Sequence, residues 1–391
     1  MLVGIDASRA FLHRRTGIEE YSYQVIRHLR DAIPKGDFVI LYVRKKISLS
    51  AVIPSLSRNL ALMSGRSFDF AQDDKRRKFS FFESPRMDFE LPKNWEVKGL
   101  WAPRFWTQIR LSLEMLFHSP DVLFVPAHTV PVIHPKKTVV TVHGLEYEMF
   151  PKAYSFWERL YMRLSIRFSV RVADRIVAVS ENTKRDLTRL YGVPEERIAV
   201  IYEGVSLEIP NSKFQGNQKP YLLFIGRLEE RKNIVRIIEA FGILKEKYHI
   251  PHELVLAGKP GHGYENIRRK IQGARYKIRE TGYVSEGEKR ELLKNADVFL
   301  FPTLYEGFGL PVLEAQAAGV PVVASKTSSL PEVGGEGALY ADPLSPEDIA
   351  EQTWKFLSEK DVRDGIMGAG LENVRRFDWR KCSEKITGLL R

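Results

Sequence analysis

Short apolar segments alternate with helical patterns along almost the whole chain, and this alternation constrains the fold more than any other feature. In the first half the apolar segments are 2–6, 38–43, 122–126, 138–143 and 175–180. Stretches such as 17–33 separate them, and there the apolar residues recur at helical spacing. Short apolar strands that alternate with helices predict a parallel sheet covered on both faces.

The second half repeats the same order of elements. Its apolar segments are 221–226, 252–258, 298–303 and 320–325. With 391 residues, 44% of them hydrophobic, the chain is long enough for two or three domains with real cores, and disordered or disulfide-scaffold classes are excluded. The fold class is therefore α/β, with two halves in tandem. Two such halves face to face would enclose a ligand cleft, because ligands bind beyond the carboxyl ends of the strands.

Composition also indicates the domain boundaries. Residues 206–220 are polar and rich in Gly, Pro and Asn, as expected of a linker. We therefore predict an N-terminal domain over 1–205 and a C-terminal domain over 221–375, with 376–391 as a helix that packs back toward the N-terminal domain. Residues 47–90 follow neither the helical nor the strand period, which predicts a flexible insertion.

The net charge of +11 lies almost wholly in one half of the chain. Residues 1–200 carry 32 Lys and Arg against 22 Asp and Glu, whereas 201–391 carry 28 against 27. No helix-turn-helix, RNA-recognition or zinc-finger signature accompanies this charge, so nucleic acid is not the expected partner. No run of about 18 apolar residues is present either. Together with the single Cys382, these features predict a cytoplasmic protein that does not span a membrane.

One basic segment, 152–175, combines arginines with aromatic residues. The arginines at positions 159, 163, 167, 171 and 175 recur at every fourth position, interleaved with Trp157, Tyr161 and Phe168. A cationic stripe beside aromatics is typical of an interfacial helix that meets anionic lipid headgroups, which would make the protein peripheral on the inner face of the membrane. The same pattern also fits a helix whose aromatics pack in the core and whose arginines are solvated. The stripe alone does not distinguish the two.

The clearest chemical pattern lies in 298–325, which reads as strand, glycine loop and helix. The residues whose backbone would face a ligand there are Gly307, Phe308, Gly309 and Leu310. A helix N-terminus binds phosphate or a sugar hydroxyl, and the two glycines allow close approach of the ligand. Two carboxylates, Glu306 and Glu314, lie eight positions apart around this loop. In isolation they would more readily be a solvated loop acid and a helix-dipole partner.

The segment from Glu306 to Glu314 resembles the Glu-x7-Glu motif of the family 4 retaining glycosyltransferases. This family has the GT-B fold, with two Rossmann-like domains that face each other across a cleft and the nucleotide sugar bound mainly by the second. Arg227 and Lys232 match the family's Gly-Arg-x4-Lys-Asn segment, which the resemblance assigns to the donor diphosphate. A forked guanidinium and a mobile point charge suit that role, although alone such a pair more often forms a surface ion pair.

Other segments extend the resemblance over roughly 1–46 and 91–391. RTGIEEYS is similar to the glycine loop beside the donor phosphates, which nominates Gly17, although a glycine there could equally serve only a turn. The region around Tyr283 and Val284 resembles the part that binds the nucleobase. His143 lies in a segment similar to the acceptor-side loop, where it would hydrogen-bond the transferred sugar or else be a structural histidine. The family usually has Asp after this His, whereas this chain has Gly144.

The resemblance implies a retaining transfer of a hexose from a nucleotide diphosphate sugar to a hydroxyl acceptor, a glycan or lipid-linked molecule, in polysaccharide or glycolipid synthesis. It nominates His143, Glu306, Arg227 and Lys232 for catalysis, with Glu314 on the nucleotide ribose. GDP-mannose is the expected donor, through similarity to mannosyltransferase-like members. No Asp-x-Asp or His-Glu-x-x-His occurs in the chain, so we expect no metal and no cofactor.

Two other functions remain open from the sequence. A nucleotide-sugar epimerase of similar architecture would convert the donor without an acceptor. A membrane-associated binding protein would use the basic half of the chain and have lost turnover. An isomerised nucleotide sugar would favour the first, and liposome binding without nucleotide-sugar affinity would favour the second.

Overall fold

The computed structural model describes residues 1–12, 15–44, 87, 89–101, 106–205 and 219–391. Almost all of the predicted insertion at 47–90 and of the predicted linker at 206–220 lies outside the described residues. The chain divides into two compact units. The first comprises 1–141, 168–176 and 383–391, and the second comprises 142–167 and 177–382. The predicted domain limits therefore remain predictions.

The first of two sheets has seven strands in the order β3-β2-β1-β4-β5-β6-β7. The strands are β1 Leu2–Asp6, β2 Phe38–Val43, β3 Trp95–Gly99, β4 Val122–Val125, β5 Lys137–Val142, β6 Arg175–Ala178 and β7 Ile198–Val200. Central strand β1 pairs in parallel with β2 on one side and with β4 on the other. Because β2 and β3 extend the sheet on one side and β4 begins the other side, the chain order reverses beside β1.

The second sheet has six strands in the order β10-β9-β8-β11-β12-β13. Its strands are β8 Tyr221–Ile225, β9 Glu253–Ala257, β10 Ile278–Gly282, β11 Val298–Phe301, β12 Val322–Ser325 and β13 Leu339–Ala341. Strand β8 pairs in parallel with both β9 and β11, so the chain order reverses between β8 and β11. In open α/β sheets, the crevice beyond the carboxyl ends at such a reversal is where ligands bind.

Helices follow the strands throughout the described residues. They are α1 Gly17–Ala32, α2 Ser112–Phe117, α3 Glu146–Met149, α4 Phe156–Val172, α5 Glu181–Tyr191, α6 Ile234–Lys247, α7 Tyr264–Gln272, α8 Glu286–Asn295, α9 Leu310–Ala317, α10 Leu330–Gly334, α11 Pro346–Ser358, α12 Lys360–Asn373 and α13 Trp379–Leu390. Local sequence sets several of their ends. Ser180 caps α5 by accepting a hydrogen bond from the Thr183 N–H, and Gly192 ends it in the left-handed conformation.

Central strands β8, β11 and β12 are buried along their whole length. Phe224 on β8 stacks on Phe301 of β11 with ring centroids 6.0 Å apart, and Phe299 stacks on the same ring at 5.7 Å. Aromatic stacking adds stabilisation to the burial of these rings, so the two strands that flank the chain reversal are held rigidly.

The α/β prediction with two parallel sheets is confirmed. Each apolar segment of the sequence contains a strand. Four strands were not predicted, namely β3, β7, β10 and β13, and these are the two edges of each sheet. An edge strand is covered less completely than a central one, so its sequence needs no continuous apolar run. Strand β10, whose residues are all half-buried or exposed, is an example.

Candidate functional site

The loop that follows β11 requires its glycines. Gly309 has φ +123°, and a Cβ added there would meet the Leu330 Cδ2 at 2.6 Å. A Cβ on Gly307 would collide with the backbone carbonyl of His143. Helix α9 begins directly after Gly309, with Pro311 in its first turn. The His143 backbone therefore packs flat against the loop, at the start of a helix whose N–H groups are available to an anion.

Hydroxyl groups fix the backbone of this loop. Ser329 donates its Oγ proton within 2.9 Å of the Glu306 carbonyl and within 2.5 Å of the Phe308 carbonyl. Ser180 Oγ donates to the Gly307 carbonyl at 2.6 Å, and Thr183 Oγ1 does so at 3.1 Å. These bonds hold the loop in a single conformation before any ligand binds, which lowers the ordering cost of binding.

A buried ion pair lies at the carboxyl ends of β8 and β11, where the chain order reverses. Lys232 Nζ is 2.5 Å from Glu306 Oε1, and both side chains are 11% exposed. Arg231 Nη1 lies 3.5 Å from the same carboxylate oxygen and donates to the Tyr305 carbonyl at 2.9 Å. Arg231 Nη2 also pairs with Glu229 at 2.8 Å. One carboxylate is thus shared by two cations.

The charges in this cluster depend on each other. Burial opposes ionisation of Glu306, but Lys232 and Arg231 outweigh it and lower the pKa of its carboxyl group. Burial lowers the pKa of Lys232, and the adjacent Arg231 adds to that effect while Glu306 opposes it. Lys232 and Arg231 thus place an ammonium and a guanidinium, two groups that pair well with phosphate, at the carboxyl ends of β8 and β11.

Arg227, predicted to contact the donor diphosphate, occupies a different position from Lys232. It follows β8 with its side chain exposed, and a Cβ on Gly261 would meet its Cγ and Cδ at 2.7 Å. The residue that joins Lys232 at Glu306 is Arg231, which the sequence did not nominate. Its position next to Lys232 in the sequence could have indicated it, because the short turn Glu230–Lys232 brings both cations to the side where Glu306 lies.

Glu314, predicted to bind the ribose, also forms an ion pair. Lys289 Nζ on α8 lies 2.6 Å from Glu314 Oε1 and 2.9 Å from Glu286 Oε2. Burial opposes the Lys289 charge, but Glu314 and Glu286 outweigh it and raise the pKa of Lys289. Lys289 is 25 positions from Glu314, and nothing in the linear pattern marks it. The pair orients the Glu314 carboxylate.

His143 is buried beside a second acid that the sequence did not nominate. Its Nδ1 lies 3.2 Å from Oε1 of Glu203, which is also buried. An ionised carboxylate only accepts hydrogen bonds, so in this contact Nδ1 carries the proton and donates it. The partner determines which ring nitrogen is protonated and how the ring is oriented. The two residues are 60 positions apart, so the linear sequence does not show this relation.

The remaining nominated residues are Tyr283, Val284 and Gly17. Tyr283, after β10, is exposed, and Lys259 Nζ lies 4.8 Å from the centroid of its ring; Val284 is half-buried. Gly17 begins α1 in the first unit, and a Cβ added to it would meet no atom within 4 Å. The local backbone therefore does not require glycine at position 17.

Metal-binding clusters and membrane-spanning helices are both absent from the described residues. No group of three or more His, Cys, Asp or Glu side chains within the described ranges is arranged to hold a metal ion. None of the described helices combines the length and the apolar character needed to cross a bilayer.

Comparison with known proteins places these features in a family. A model described as Glycosyltransferase Family 4 matches residues 15–209, and one described as Glycosyl transferases group 1 matches residues 206–369. The chain is 27% identical to O-antigen chain mannosyltransferase B of Escherichia coli over 97% of both chains. It is 26% identical to O-antigen chain mannosyltransferase RfbU of Salmonella typhimurium, over 64% of this chain and 67% of that one.

Solved structures show the same fold at lower identity. Sucrose-phosphate synthase from Thermosynechococcus elongatus superposes with a TM-score of 0.70 at 18% identity, covering 99% of this chain and 98% of that one. WaaG, a glycosyltransferase involved in lipopolysaccharide biosynthesis, gives 0.68 at 16% identity, covering 100% and 99%. The two family models together cover residues 15–369, which include the buried Glu306 cluster. The chain belongs to glycosyltransferase family 4 and has the GT-B fold.

Proposed function

We propose that this glycosyltransferase is a retaining, metal-independent mannosyltransferase that uses GDP-mannose and extends an O-antigen-like, lipid-linked glycan. The observation that carries the proposal is the buried cluster in which Lys232 and Arg231 share the Glu306 carboxylate beside the start of α9. Mannose and the O-antigen acceptor are inferred from the mannosyltransferase relatives, which match nearly the whole chain or about two thirds of it.

In this proposal the cations hold the donor diphosphate. Lys232 and Arg231 neutralise its inner charge, while exposed Arg227 closes on it from the loop after β8. The N–H groups at the start of α9 contribute fixed positive ends of dipoles. These groups together do the electrostatic work that a divalent ion does in other enzymes. The ribose hydroxyls bind Glu314, which is paired with Lys289, and the base lies by the backbone at Tyr283 and Val284.

The transfer itself then needs no protein nucleophile. The bond between the sugar C1 and the leaving phosphate oxygen breaks, and the acceptor oxygen bonds to C1 on the same face. The departing phosphate takes the proton of the acceptor hydroxyl. Glu306 orients hydroxyls of the transferred sugar and stabilises the positive charge that develops on it. His143, oriented by Glu203, donates a hydrogen bond to the same sugar.

The decisive experiment is a donor screen with the purified protein. GDP-, UDP- and ADP-sugars are compared for ligand-induced thermal stabilisation, and then for release of the nucleotide with an acceptor present. We expect GDP-mannose to stabilise the protein most, and replacement of Arg227 or Lys232 by Ala to reduce turnover on every donor steeply. Unchanged turnover in these variants would refute the diphosphate assignment. An isomerised sugar without nucleotide release would instead identify an epimerase.

Two further measurements test the mechanism. The anomeric configuration of the product, read by NMR, should match that of the donor, and an inverted product would reject the retaining mechanism. Turnover should also survive dialysis against EDTA. A loss of activity that Mg²⁺ or Mn²⁺ restores would overturn the metal-independent assignment.

We also infer that α4 lies on the anionic inner face of the membrane that carries the acceptor. Phe156 and Trp157 at the start of this helix are 71% and 75% exposed, and Tyr161 and Leu164 are exposed on the same side. These aromatics are therefore not core residues. Arginines border this exposed face, as expected for a helix seated among anionic headgroups. Arg163 is in addition paired with Glu148 at 2.9 Å.

The apolar side chains offer a cleaner membrane test than the arginines. Trp157→Ala combined with Leu164→Ala should weaken binding to phosphatidylglycerol vesicles by about 10-fold or more, since each side chain contributes about 1.5–3 kcal/mol when buried in an apolar phase. Leu344→Ala, which removes an equally exposed leucine elsewhere, serves as the control. Sedimentation with phosphatidylglycerol and phosphatidylcholine vesicles measures the effect. Equal binding by all three proteins would contradict the inference.

A further inference from the structure

The carboxylate of Glu146 is an acid near the site that neither the family pattern nor an ion pair explains. Glu146 is the first residue of α3 and is half-buried. Other acids of the site have partners: Glu306 pairs with Lys232, Glu314 pairs with Lys289, and Glu203 contacts the His143 ring. Within the part of the chain that the structure describes, no hydrogen bond or ion pair engages the Glu146 side chain. A half-buried carboxylate in that state has lost hydration without replacement.

The position of this carboxylate is set by the two glycines of the site. Gly144 has φ +146°, and a Cβ built on it would lie 3.2 Å from both Cδ and Oε1 of Glu146. The same point lies 3.1 Å from the Gly307 Cα. The Glu146 carboxylate therefore occupies the space into which a side chain at position 144 would extend, next to the loop that carries Glu306. Where the family pattern has an Asp directly after the histidine, this chain supplies a carboxylate from two positions further on.

Electrostatics connect Glu146 to the donor cluster. Burial works against the Arg231 charge, but Glu306, then Glu146 and Glu229, outweigh it and raise the pKa of Arg231. Glu146 also acts on Tyr154. Burial is the main cause that raises the pKa of the Tyr154 hydroxyl to about 12, and the negative charge of Glu146 is the second cause. Glu146 and Glu306 thus both act on the guanidinium of Arg231. Only Glu306 is engaged in the buried ion pair with Lys232.

The chemistry of a carboxylate restricts what this group can bind. An ionised carboxylate accepts hydrogen bonds and repels phosphate, so a diphosphate is not its ligand. A sugar presents several hydroxyl donors within a few ångströms of its anomeric carbon. We propose that Glu146 accepts a hydrogen bond from a hydroxyl of the transferred hexose, so that the sugar is held by Glu146 as well as by Glu306. This inference rests on the proposed function, because it requires a nucleotide-sugar donor.

The test compares the affinity for GDP-mannose with that for GDP, because the difference isolates the sugar. A hydrogen bond to a charged group contributes about 1.5–3 kcal/mol, which corresponds to about 10-fold to about 100-fold in affinity. Isothermal titration calorimetry of Glu146→Gln should show the affinity for GDP-mannose, relative to that for GDP, reduced by at least about 10-fold. Glu146→Asp, which keeps the charge but shortens the side chain, should fall between the wild type and Glu146→Gln.

Glu148→Gln is the matched control on the same helical turn. The Glu148 carboxylate pairs with Arg163 at 2.9 Å and accepts a hydrogen bond from Tyr191 at 2.9 Å. Its replacement should lower the thermal unfolding temperature and leave the affinity ratio of GDP-mannose to GDP as in the wild type. Glu146→Gln should show the reverse, with wild-type unfolding and a reduced ratio.

Three outcomes would overturn the inference. If Glu146→Gln keeps the wild-type ratio of GDP-mannose affinity to GDP affinity, Glu146 does not contact the sugar. An equal loss of GDP and GDP-mannose affinity would show that Glu146 acts through Arg231 instead. A wild-type ratio with a raised KM for the acceptor would assign the carboxylate to the acceptor hydroxyl. Failure of the wild-type protein to bind any nucleotide sugar would refute the proposed function first, and is recognised before any variant is made.

Discussion

Replacing Lys232 by Met tests the buried ion pair at the centre of the site. Methionine fills a similar volume to the lysine stem but carries no charge. The variant leaves the Glu306 carboxylate buried, with Arg231 at 3.5 Å as its remaining cation. The double variant Lys232→Met with Glu306→Gln removes both charges. In it Arg231 keeps its other partner, Glu229, at 2.8 Å.

The expected loss of unfolding free energy follows from the burial of this ion pair. Removing one partner of a buried pair costs about 3–5 kcal/mol, because the other charge stays buried without compensation. Arg231 supplies part of that compensation, so we expect Lys232→Met to lower the free energy of unfolding by about 2–4 kcal/mol. The double variant should recover at least half of this loss, since a neutral pair has no buried charge to compensate.

An exposed pair of nearly equal length is the control. Lys270 Nζ lies 2.6 Å from Glu239 Oε1, close to the 2.5 Å of the buried pair, but the two side chains are 45% and 36% exposed. Lys270→Met should therefore cost less than about 1 kcal/mol. Urea denaturation followed by circular dichroism and tryptophan fluorescence measures all four proteins, with the slope compared among them to check that the unfolding transition is the same.

Two results would refute this reasoning. A loss in Lys232→Met no larger than that in Lys270→Met would show that burial does not set the energy of the pair. A double variant no more stable than the single one would show that the unpaired Glu306 is not the cause of the loss. Donor turnover separates stability from function, because the double variant should regain stability without regaining activity.

Three further predictions concern the loop and its acids. Gly307→Ala should cost about 3 kcal/mol of folding free energy because its methyl group meets the His143 carbonyl. The control Gly287→Ala, with open space around it, should stabilise by up to about 1 kcal/mol. Similar urea midpoints for the two variants would contradict this packing argument. Glu203→Ala should lower kcat by about 100-fold because His143 loses its orientation, and Glu203→Gln should recover part of the lost kcat. Wild-type steady-state kinetics for Glu203→Ala would exclude an orienting role for Glu203. The pKa of Glu306 lies below its usual 4.5, so its pairing stabilises the fold above that pH, and the stability advantage of wild type over Glu306→Gln should shrink as the pH falls through the lowered pKa. A difference in thermal unfolding temperature that does not shrink at any acidic pH at which the wild type still folds would contradict it.

The sequence located the site better than it identified the contacts within it. The Gly-Phe-Gly loop, Glu306 and Lys232 could be nominated because all of them lie in short motifs at strand ends. Arg231 was adjacent to a nominated residue and was still missed, since a linear motif does not show which of two neighbouring cations turns inward. Partners such as Glu203 and Lys289 come from distant segments, so no local pattern could have indicated them.

What the sequence determined by itself was the fold class, the order of the central strands along the chain and the family. Central strands are buried on both faces, so their apolar runs stand out, and the loops at their ends carry the motifs. What only the tertiary structure decided was the edges of the sheets and the pairing of the charges. Edge strands such as β10 need no apolar run, because one side of each remains uncovered. Charge pairing depends on distances across the fold, and the Glu146 carboxylate beside Gly144 shows how a chain can supply a group from a position that its motif does not predict.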